Sequence, residues 1–575
     1  MAEEILELPV LGLPFELGTL YNANKNQIVP SMPLWERNNI NVIVSPRSSH
    51  NTSITTTDSL VSKMKSLDVK GNLVISALSD KLEIKGSGAV LNDKKSSKKE
   101  AKIVLEAKGT KEYQAISKNH FSKETLERYH ELIEQSGATH VVVGITYGYQ
   151  LFLILETACD SEIEKTNVQG KLELKIMSFV QGQVEGSYQT NEEKKLNELK
   201  VKIHGNVQIP SNPTSLDEAI EIYKRIPEFA TSKECPMTVH LFPLASICSF
   251  LPKACSQINE AVLNSVTVIF EDIRESEVAL SVIQTSNIAT IEPRIRRKAK
   301  KMSTMLIEHK IWLQMKLYET ISNPMMDEES SKSKTILNVL KKHHNSPFST
   351  ECFGIYVSKM EKELCLLNDL IKMLTFSEDN ENVGDAINTN AGKGDSYRIS
   401  IDILSDETDF VIPFERCKVF VLEVPIITIE DGLLKKIQTY DPDNDNELAP
   451  CKVESLPFED KAIQRKIQRC AKELVKLANT YQKGDKDKRS TKFRCVFTGF
   501  EIGKEPTINA YNASTGDIEP CYPMMSQRAS VFQTQKEQKP VIRACEASRS
   551  NSPTTRDYKA HTKIGELKEI FEPKC

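Results

Sequence analysis

Two stretches roughly one hundred residues apart alternate apolar and polar residues with period two, a pattern that few local structures satisfy. In the clearer stretch Val168, Gly170, Leu172, Leu174, Ile176, Val180, Gly182, Val184 and Gly186 share one parity, and Lys171, Glu173, Lys175, Gln181, Gln183 and Glu185 share the other. A returning run sets Leu199, Val201, Ile203, Val207 and Ile209 against Lys200, Lys202, His204, Asn206 and Gln208. Period two puts each set on one face of a strand, so the spacing predicts a hairpin with one apolar and one polar face.

The earlier stretch repeats the plan. Val69-Lys70-Gly71-Asn72-Leu73 parallels Val168-Gln169-Gly170-Lys171-Leu172, and Gly86-Ser87 parallels Gly186-Ser187. Leu82, Ile84, Gly86, Gly88 and Val90 alternate with Glu83, Lys85 and Ser87. Ala101, Ile103, Leu105 and Ala107 alternate with Lys102, Glu106 and Lys108, with Val104 out of step. The matching segments span residues 69–109 and 168–209, one expected hairpin each. Such hairpins suit the wall of a water-filled barrel in lipid. Four strands cannot close a spanning barrel, which starts at about eight, and an open edge in lipid strands backbone polar groups. Insertion therefore requires oligomerisation. The same alternation also fits an ordinary antiparallel sheet with one solvated face.

At 575 residues the chain suggests about three or four domains, and a net charge of −4 argues against general nucleic-acid binding. Glu3, Glu4 and Glu7 stand where a signal peptide is basic, and Pro9 and Pro14 interrupt the apolar stretch. The expected product is soluble without a classical leader. Val141 to Leu155, the most apolar run, is too short for a spanning helix and reads as a buried strand. None of the thirteen cysteines forms Cys-x-x-Cys, and Cys248 and Cys255 lack flanking histidines at zinc spacing. Reduced, packing cysteines and no metal are expected.

Helical spacing marks Ile258–Gln284, Ile291–Ser322, Ser333–His343 and Cys352–Phe376, with Met302, Leu306, Leu313, Leu317 and Ile321 as one stripe. Arg294, Arg296, Arg297, Lys298, Lys300 and Lys301 read as a solvated basic face. Residues 377–396 read as a linker. Val419–Val424 and Phe493–Phe497 read as strands, Asp460–Tyr481 as a helix, and everything after about 523 as a polar tail.

Between the two alternating stretches lies a helix, Lys123–Gln135, with Ser122 as N-cap, Gly137 as C′ residue and Leu126, Tyr129, Leu132 and Ile133 as its buried face. It leads into Gly137-Ala138-Thr139-His140 and the strand through Gly144, Tyr147 and Gly148. In this order the chain resembles the perforin and cholesterol-dependent cytolysin superfamily, and within it the stonustoxin branch of stonefish cytolysins. The similarity extends over about residues 5–520. It includes Leu11-Gly12-Leu13-Pro14-Phe15, Leu17-Gly18-Thr19-Leu20-Tyr21-Asn22, Ile28-Val29-Pro30, Lys94-Lys95-Ser96-Ser97-Lys98-Lys99 and Thr238-Val239-His240-Leu241-Phe242-Pro243-Leu244. Ala138 departs from the superfamily signature, which carries Gly before the Thr-His pair. The fish toxins end in a large β-sandwich, whereas about fifty residues remain here.

The resemblance implies a multidomain α+β fold. A perforin-like bent antiparallel sheet with flanking helix clusters fills residues 1–250, a focal-adhesion-targeting-like helical bundle 251–385, a thioredoxin-like α/β domain without Cys-x-x-Cys 386–522, and a polar tail 523–575. It implies a secreted, haemolytic toxin that acts at target-cell membranes after a non-classical export route. Its partners would be a lipid bilayer and itself or a homologous second subunit. The membrane-insertion residues are expected to be Leu73, Ile75, Leu82, Ile84, Ile103 and Leu105 from the first stretch. From the second come Leu172, Leu174, Ile176, Val180, Val184, Val201 and Ile203. Thr139, His140, Gly144, Tyr147 and Gly148 are expected to form the hinge and core strand. No Gly-x-Ser-x-Gly, P-loop or zinc helix accompanies His140, so catalysis and cofactors are not expected. The alternative reading is a non-lytic cytosolic scaffold on the same fold.

Overall fold

The computed structural model describes residues 5–30, 34–35, 41–117, 127, 129–180, 198–230, 235–247, 251, 253, 257–291, 293–323, 329–375, 399–403, 418–427, 432–444, 459–484, 491–499, 505–512 and 518–522. The chain divides into two compact units, 1–372 with 428–464 and 373–427 with 465–575.

The first unit is built on an antiparallel sheet of β1 (Leu6–Pro9), β2 (Leu20–Asn22), β3 (Gln27–Ile28), β4 (Val42–Thr55), β5 (Glu100–Ile116), β6 (His140–Ala158), β7 (Lys200–Gly205) and β8 (Cys235–Pro243). β6 is its spine. One edge pairs with β5 from Gly144 to Ala158; the other pairs with β8 over His140–Gly148 and then with β7 over Leu151–Glu156. The apolar run predicted as a buried strand is this element, and it is buried on both faces almost throughout.

Each connection from β4 onward to β8 carries helix. Between β4 and β5 lie α1 (Leu60–Ser66), α2 (Asn72–Leu78) and a 3-10 turn at Gly86–Asn92. Between β5 and β6 is α3 (His130–Ser136), between β6 and β7 is α4 (Glu162–Val180), and between β7 and β8 is α5 (Leu216–Phe229). Gly137 closes α3 at φ 65°, the left-handed conformation that glycine adopts without a Cβ penalty. The face expected for that helix is only partly correct. Ile133 is buried, Tyr129 packs beside it, and Leu132 is exposed. Ser122 and Leu126 fall outside the described residues.

Two strand expectations are overturned. Val168 to Val180 is helix, and Leu82 to Val90 is a loop followed by the 3-10 turn. Val168, Leu172 and Ile176 are spaced by four, which satisfies period two and the helical repeat equally; as a helical stripe all three are fully buried. The helix is started by Ser161, whose Oγ accepts the Glu164 N–H at 3.1 Å, while Glu164 accepts the Asp160 N–H. Ser161-x-x-Glu164 is a capping-box pattern that marks this start in the sequence. The expected strand over Gly182–Gly186, with its turn at Asn191–Lys195, lies outside the described residues.

Both faces of the sheet are covered where β5 and β6 pair over Ala101–Ala107 and Leu151–Leu155, whereas β4 is exposed along most of its length. On one, α4 and α5 pack on Ala101, Ile103, Leu105, Leu151, Leu153 and Leu155. On the other, α1 and α2 share a core with Val104, Phe152 and Ile154. Val104 thus stands out of step because β5 is buried on both sides. That second core continues into the helices α6 (Glu260–Thr285), α8 (Pro293–Ser322), α9 (Glu329–Asn345), α10 (Ile355–Thr375) and α11 (Gly432–Thr439), with the short α7 (Asn287–Ile291) between α6 and α8. The predicted stripe Met302 to Ile321 is buried there. Arg296, Arg297, Lys300 and Lys301 face solvent, whereas Lys298 lies 4.8 Å above the Tyr356 ring.

The second unit contains a mixed five-stranded sheet of β9 (Ile399–Ile403), β10 (Lys418–Ile427), β11 (Thr491–Gly499), β12 (Thr507–Asn512) and β13 (Ile518–Tyr522), in the order β13-β12-β10-β11-β9. β10 runs parallel to β11, and β11 to β9, while β12 is antiparallel to both its neighbours. The helix α12 (Lys461–Gly484) buries Ile467, Cys470 and Leu474, as its spacing predicted. The linker at 377–396 and the tail after 523 lie outside the described residues.

Candidate functional site

The two connections 56–99 and 159–199 are the candidate site; of the second, residues 181–197 lie outside the described residues. Each joins strands that are already paired in the same sheet, β4 to β5 and β6 to β7. Each is about 40 residues long, so each half would reach roughly 65 Å if extended at ~3.3 Å per residue. That exceeds the ~30 Å hydrocarbon core of a bilayer.

The residues expected to enter a membrane fall into two groups on opposite faces of the sheet. Leu73 and Ile75 are buried in α2, Leu82 is buried in the loop after it, and Ile84 packs against the same core. Ile103 and Leu105 on β5 point to the other face, where Leu172 and Ile176 of α4 and Val201 and Ile203 of β7 join them. Leu174 is separate: it is 66% exposed on the outer side of α4. Val180 ends that helix; its side chain, and Val184 entirely, lie outside the described residues.

The core-strand residues are held by packing and hydrogen bonds. The Thr139 hydroxyl accepts the Ala23 N–H at 3.0 Å and meets His140 Nδ1 at 2.8 Å. Burial pushes the His140 imidazole down to about 4, so it is neutral at physiological pH. Tyr147 packs at the edge of the core that holds the first connection. A Cβ on Gly144 would run into the Tyr113 ring, and one on Gly148 into the β5 backbone at Gly109. Among the described residues no group of three His, Cys, Asp or Glu side chains converges as metal ligands.

A buried ionic cluster joins the first connection to the sheet. Lys102 on β5 is 1% exposed, and its Nζ contacts Asp93, Asp58 at 3.1 Å and Glu156 of β6 at 3.3 Å. Lys63 of α1 pairs with Asp58 at 2.7 Å, and Lys202 of β7 reaches both Asp93 and Glu156. Arg274 of α6 donates to the Asp93 carbonyl at 2.6 Å. Burial alone pushes the Lys102 ammonium down, but Asp58 and Asp93 outweigh it, so its pKa is raised. For Asp93 burial pushes up and the hydrogen bond and charge of Lys102 prevail, so its pKa is lowered. Both partners are thereby held ionised. At Lys63, burial prevails over Asp58 and the pKa falls. Periodicity overlooked this cluster. Its only local signal was a charge inside an apolar run, as at Ala101-Lys102-Ile103, or closing one, as Glu156 does after Leu155.

The comparisons agree with this architecture. Residues 5–239 match the family described as SNTX, MACPF/CDC-like domain, and residues 268–365 match the stonustoxin helical domain. The beta subunit of verrucotoxin from Synanceia verrucosa is 27% identical over 65% of this chain and 54% of its own length. Cytolytic toxin-beta from Scorpaena plumieri is 31% identical over 48% of this chain and 40% of its own. The chain thus spans about half the length of the curated relatives it matches. The solved stonustoxin structure superposes with a TM-score of 0.61 at 19% identity, covering 89% of this chain and 68% of that one. No helix among the described residues is long and apolar enough to cross a membrane.

Proposed function

We propose, from the premise that this chain is stonustoxin-like and carries the SNTX-type MACPF/CDC-like domain followed by the stonustoxin helical domain, that it is the subunit of a cytolytic pore. The subunit docks on a bilayer, assembles with copies of itself or with a homologous second subunit, and converts both connections into β-hairpins. Relatives named as alpha and beta subunits favour a paired assembly. The hairpins extend β4 with β5 and β6 with β7, and the strand through Thr139, His140, Gly144, Tyr147 and Gly148 stays in place as their base.

The observation that carries this reading is Leu174. As helix, residues 162–180 leave Leu174, Ile163 and Met177 exposed. As strand, Leu172, Leu174 and Ile176 fall on one face, with Lys171, Glu173 and Lys175 on the other. Ile163 and Met177 share the parity of the polar set, so Leu174 is the residue that separates the two states: the helix leaves it in solvent, and the strand sets it in one apolar row with Leu172 and Ile176. In the inserted state Leu73, Ile75, Leu82, Ile84, Ile103 and Leu105 are the lipid-facing set of the first hairpin. Leu172, Leu174, Ile176, Val180, Val184, Val201 and Ile203 form that of the second.

For the remaining chain, the proposed boundaries are 1–250 for the perforin-like part, 251–385 for the bundle and 386–522 for a thioredoxin-like domain. The order β13-β12-β10-β11 with β12 antiparallel to its neighbours supports the last assignment. The protein acts without enzymatic turnover, at the surface of a target cell.

Dye release from liposomes, with electron microscopy for rings, tests the proposal. Leu174→Arg sharpens it. The site is solvent-exposed in the helix, so stability should stay within about 0.5 kcal/mol. At mid-bilayer on a barrel the same change costs about 2–4 kcal/mol per subunit. The expected result is an intact fold with lost leakage. No release from any lipid mixture, alone or with a homologous subunit, would leave the non-lytic scaffold.

A further inference from the structure

The Lys102 cluster does more than fill a core, because of what converges on it. Asp58 and Lys63 begin the first connection and Asp93 ends it, so both ends of segment 58–93 are tied to one ammonium on the sheet. Lys102 and Glu156 are direct register partners on β5 and β6, and Lys202 brings in β7. The second connection attaches at the same place: Gln169 Nε2 donates to the Lys102 carbonyl at 3.0 Å, and Lys165 Nζ to the Ser97 carbonyl at 2.9 Å. The helical bundle attaches too. Glu271 accepts the Leu60 N–H at 2.8 Å, Lys95 pairs with Glu271 and Glu275, and Lys98 pairs with Glu361 of α10.

We propose that Lys102, with Asp58, Asp93 and Glu156, is a latch. It holds segment 56–99 in its helical packing, and the segment leaves the sheet only after this cluster opens. A buried charge is tolerable while its partners surround it, and removing one partner leaves the others uncompensated in a low-dielectric site. The energy of the cluster thus depends on both ends of the segment being docked at once, which makes its opening all-or-none rather than a gradual fraying. The Lys94–Lys99 run is the hinge side of the latch, and α6 is its outer cover through Arg274 and Glu271. This deepens the pore-forming reading, but the docked state it describes is a property of the unassembled subunit and is measured without a membrane.

The test is peptide-resolved hydrogen exchange on the full chain. Lys102→Met should speed exchange in peptides covering 58–95 by at least about tenfold, while peptides from 140–155 and 260–285 keep their rates. Ile220→Ala, a cavity in α5 on the opposite face of the sheet, should leave 58–95 unchanged. Exchange in 58–95 equal to wild type, or protection lost evenly across the unit, would overturn the latch. If Lys102→Met does not fold, Glu156→Gln decides, because Lys102 keeps its two aspartates: a smaller acceleration confined to 58–95 supports the latch and an even loss refutes it. Vesicle leakage is measured in parallel. Accelerated exchange without leakage from any variant would sink the pore and keep the latch, and leakage with unaltered exchange would do the reverse.

Discussion

A Cβ built on Gly148 would lie 2.1 Å from the carbonyl oxygen of Gly109 on the adjacent strand. The two strands touch backbone to backbone here, next to the register shift between Thr110 and Glu112. The contact marks the place where β5 and β6 change course together, and no side chain fits between them.

Gly148→Ala should therefore force the strands apart. The obstacle is backbone and cannot swing away, so the cost should be at the upper end of overpacking, about 1–3 kcal/mol. A lowered urea midpoint for the first unit, with the second unit unaffected, is the expected result. An unchanged midpoint would mean that the strands separate freely at this point.

The opposite outcome is expected at Gly170. It lies within α4, and a Cβ there meets no atom within 4 Å. Gly170→Ala should stabilise the helix by roughly 0.5–1 kcal/mol. If the helix must convert to strand during pore formation, that stabilisation opposes the conversion, and dye release should slow by a factor of about 2–5 at equal protein concentration. Faster release would argue that α4 stays helical throughout.

The same helix shows how far the sequence could be read. The bundle was legible because Met302, Leu306, Leu313, Leu317 and Ile321 repeat at a helical spacing that no strand reproduces. The spine strand was legible because Val141–Leu155, though interrupted by Gly144 and Gly148, is rich in β-branched residues and too short for a spanning helix. Val168, Leu172 and Ile176 were ambiguous because a spacing of four fits both periods, and only the cap at Ser161 separated them. The ionic cluster was illegible. Asp58 and Glu156 are far apart in sequence; the pairing of β5 with β6 brings Glu156 to Lys102, and the end of β4 beside β5 brings Asp58.

Acid should weaken the first unit through its buried histidines. His309 Nε2 faces His343 Nδ1 at 3.0 Å, between Phe348, Trp312 and Tyr440, with His344 beside them. Burial, and then His344, push His343 down to about 4; burial, and then His343, hold His309 well below its ordinary range. The unfolded chain takes up these protons near pH 6.5 and the folded chain only at lower pH, for His343 near 4, so stability is full above about 6.5 and falls as pH drops through the window between the unfolded and folded values. Each histidine contributes about 1.4 kcal/mol per pH unit within it. Urea midpoints at pH 7.5, 6 and 5 should show the slope, and His309→Phe should reduce it by about one histidine's share. His309 Nδ1 already lacks a partner among the described residues, so the replacement gives up one hydrogen bond and keeps the ring stack. A pH-independent midpoint would contradict the assignment.

The second unit offers a chemical test of its own. Cys470 on α12 is 2% exposed, its Sγ lies 3.5 Å from the Pro506 carbonyl, and burial followed by Glu505 pushes its thiol up to about 11. Thiol–disulfide exchange needs the thiolate, and at pH 7.5 a group with that pKa is ionised to less than about one part in a thousand. Cys365 of α10 is exposed and serves as the internal reference. Under iodoacetamide at pH 7.5 Cys365 should be alkylated within minutes, while Cys470 should require denaturant. Insulin should not be reduced in the presence of dithiothreitol beyond the background rate. Rapid native-state labelling of Cys470 together with insulin turnover would instead make this unit a redox-active one, and the thioredoxin-like domain proposed for it would then carry a chemistry rather than only a shape.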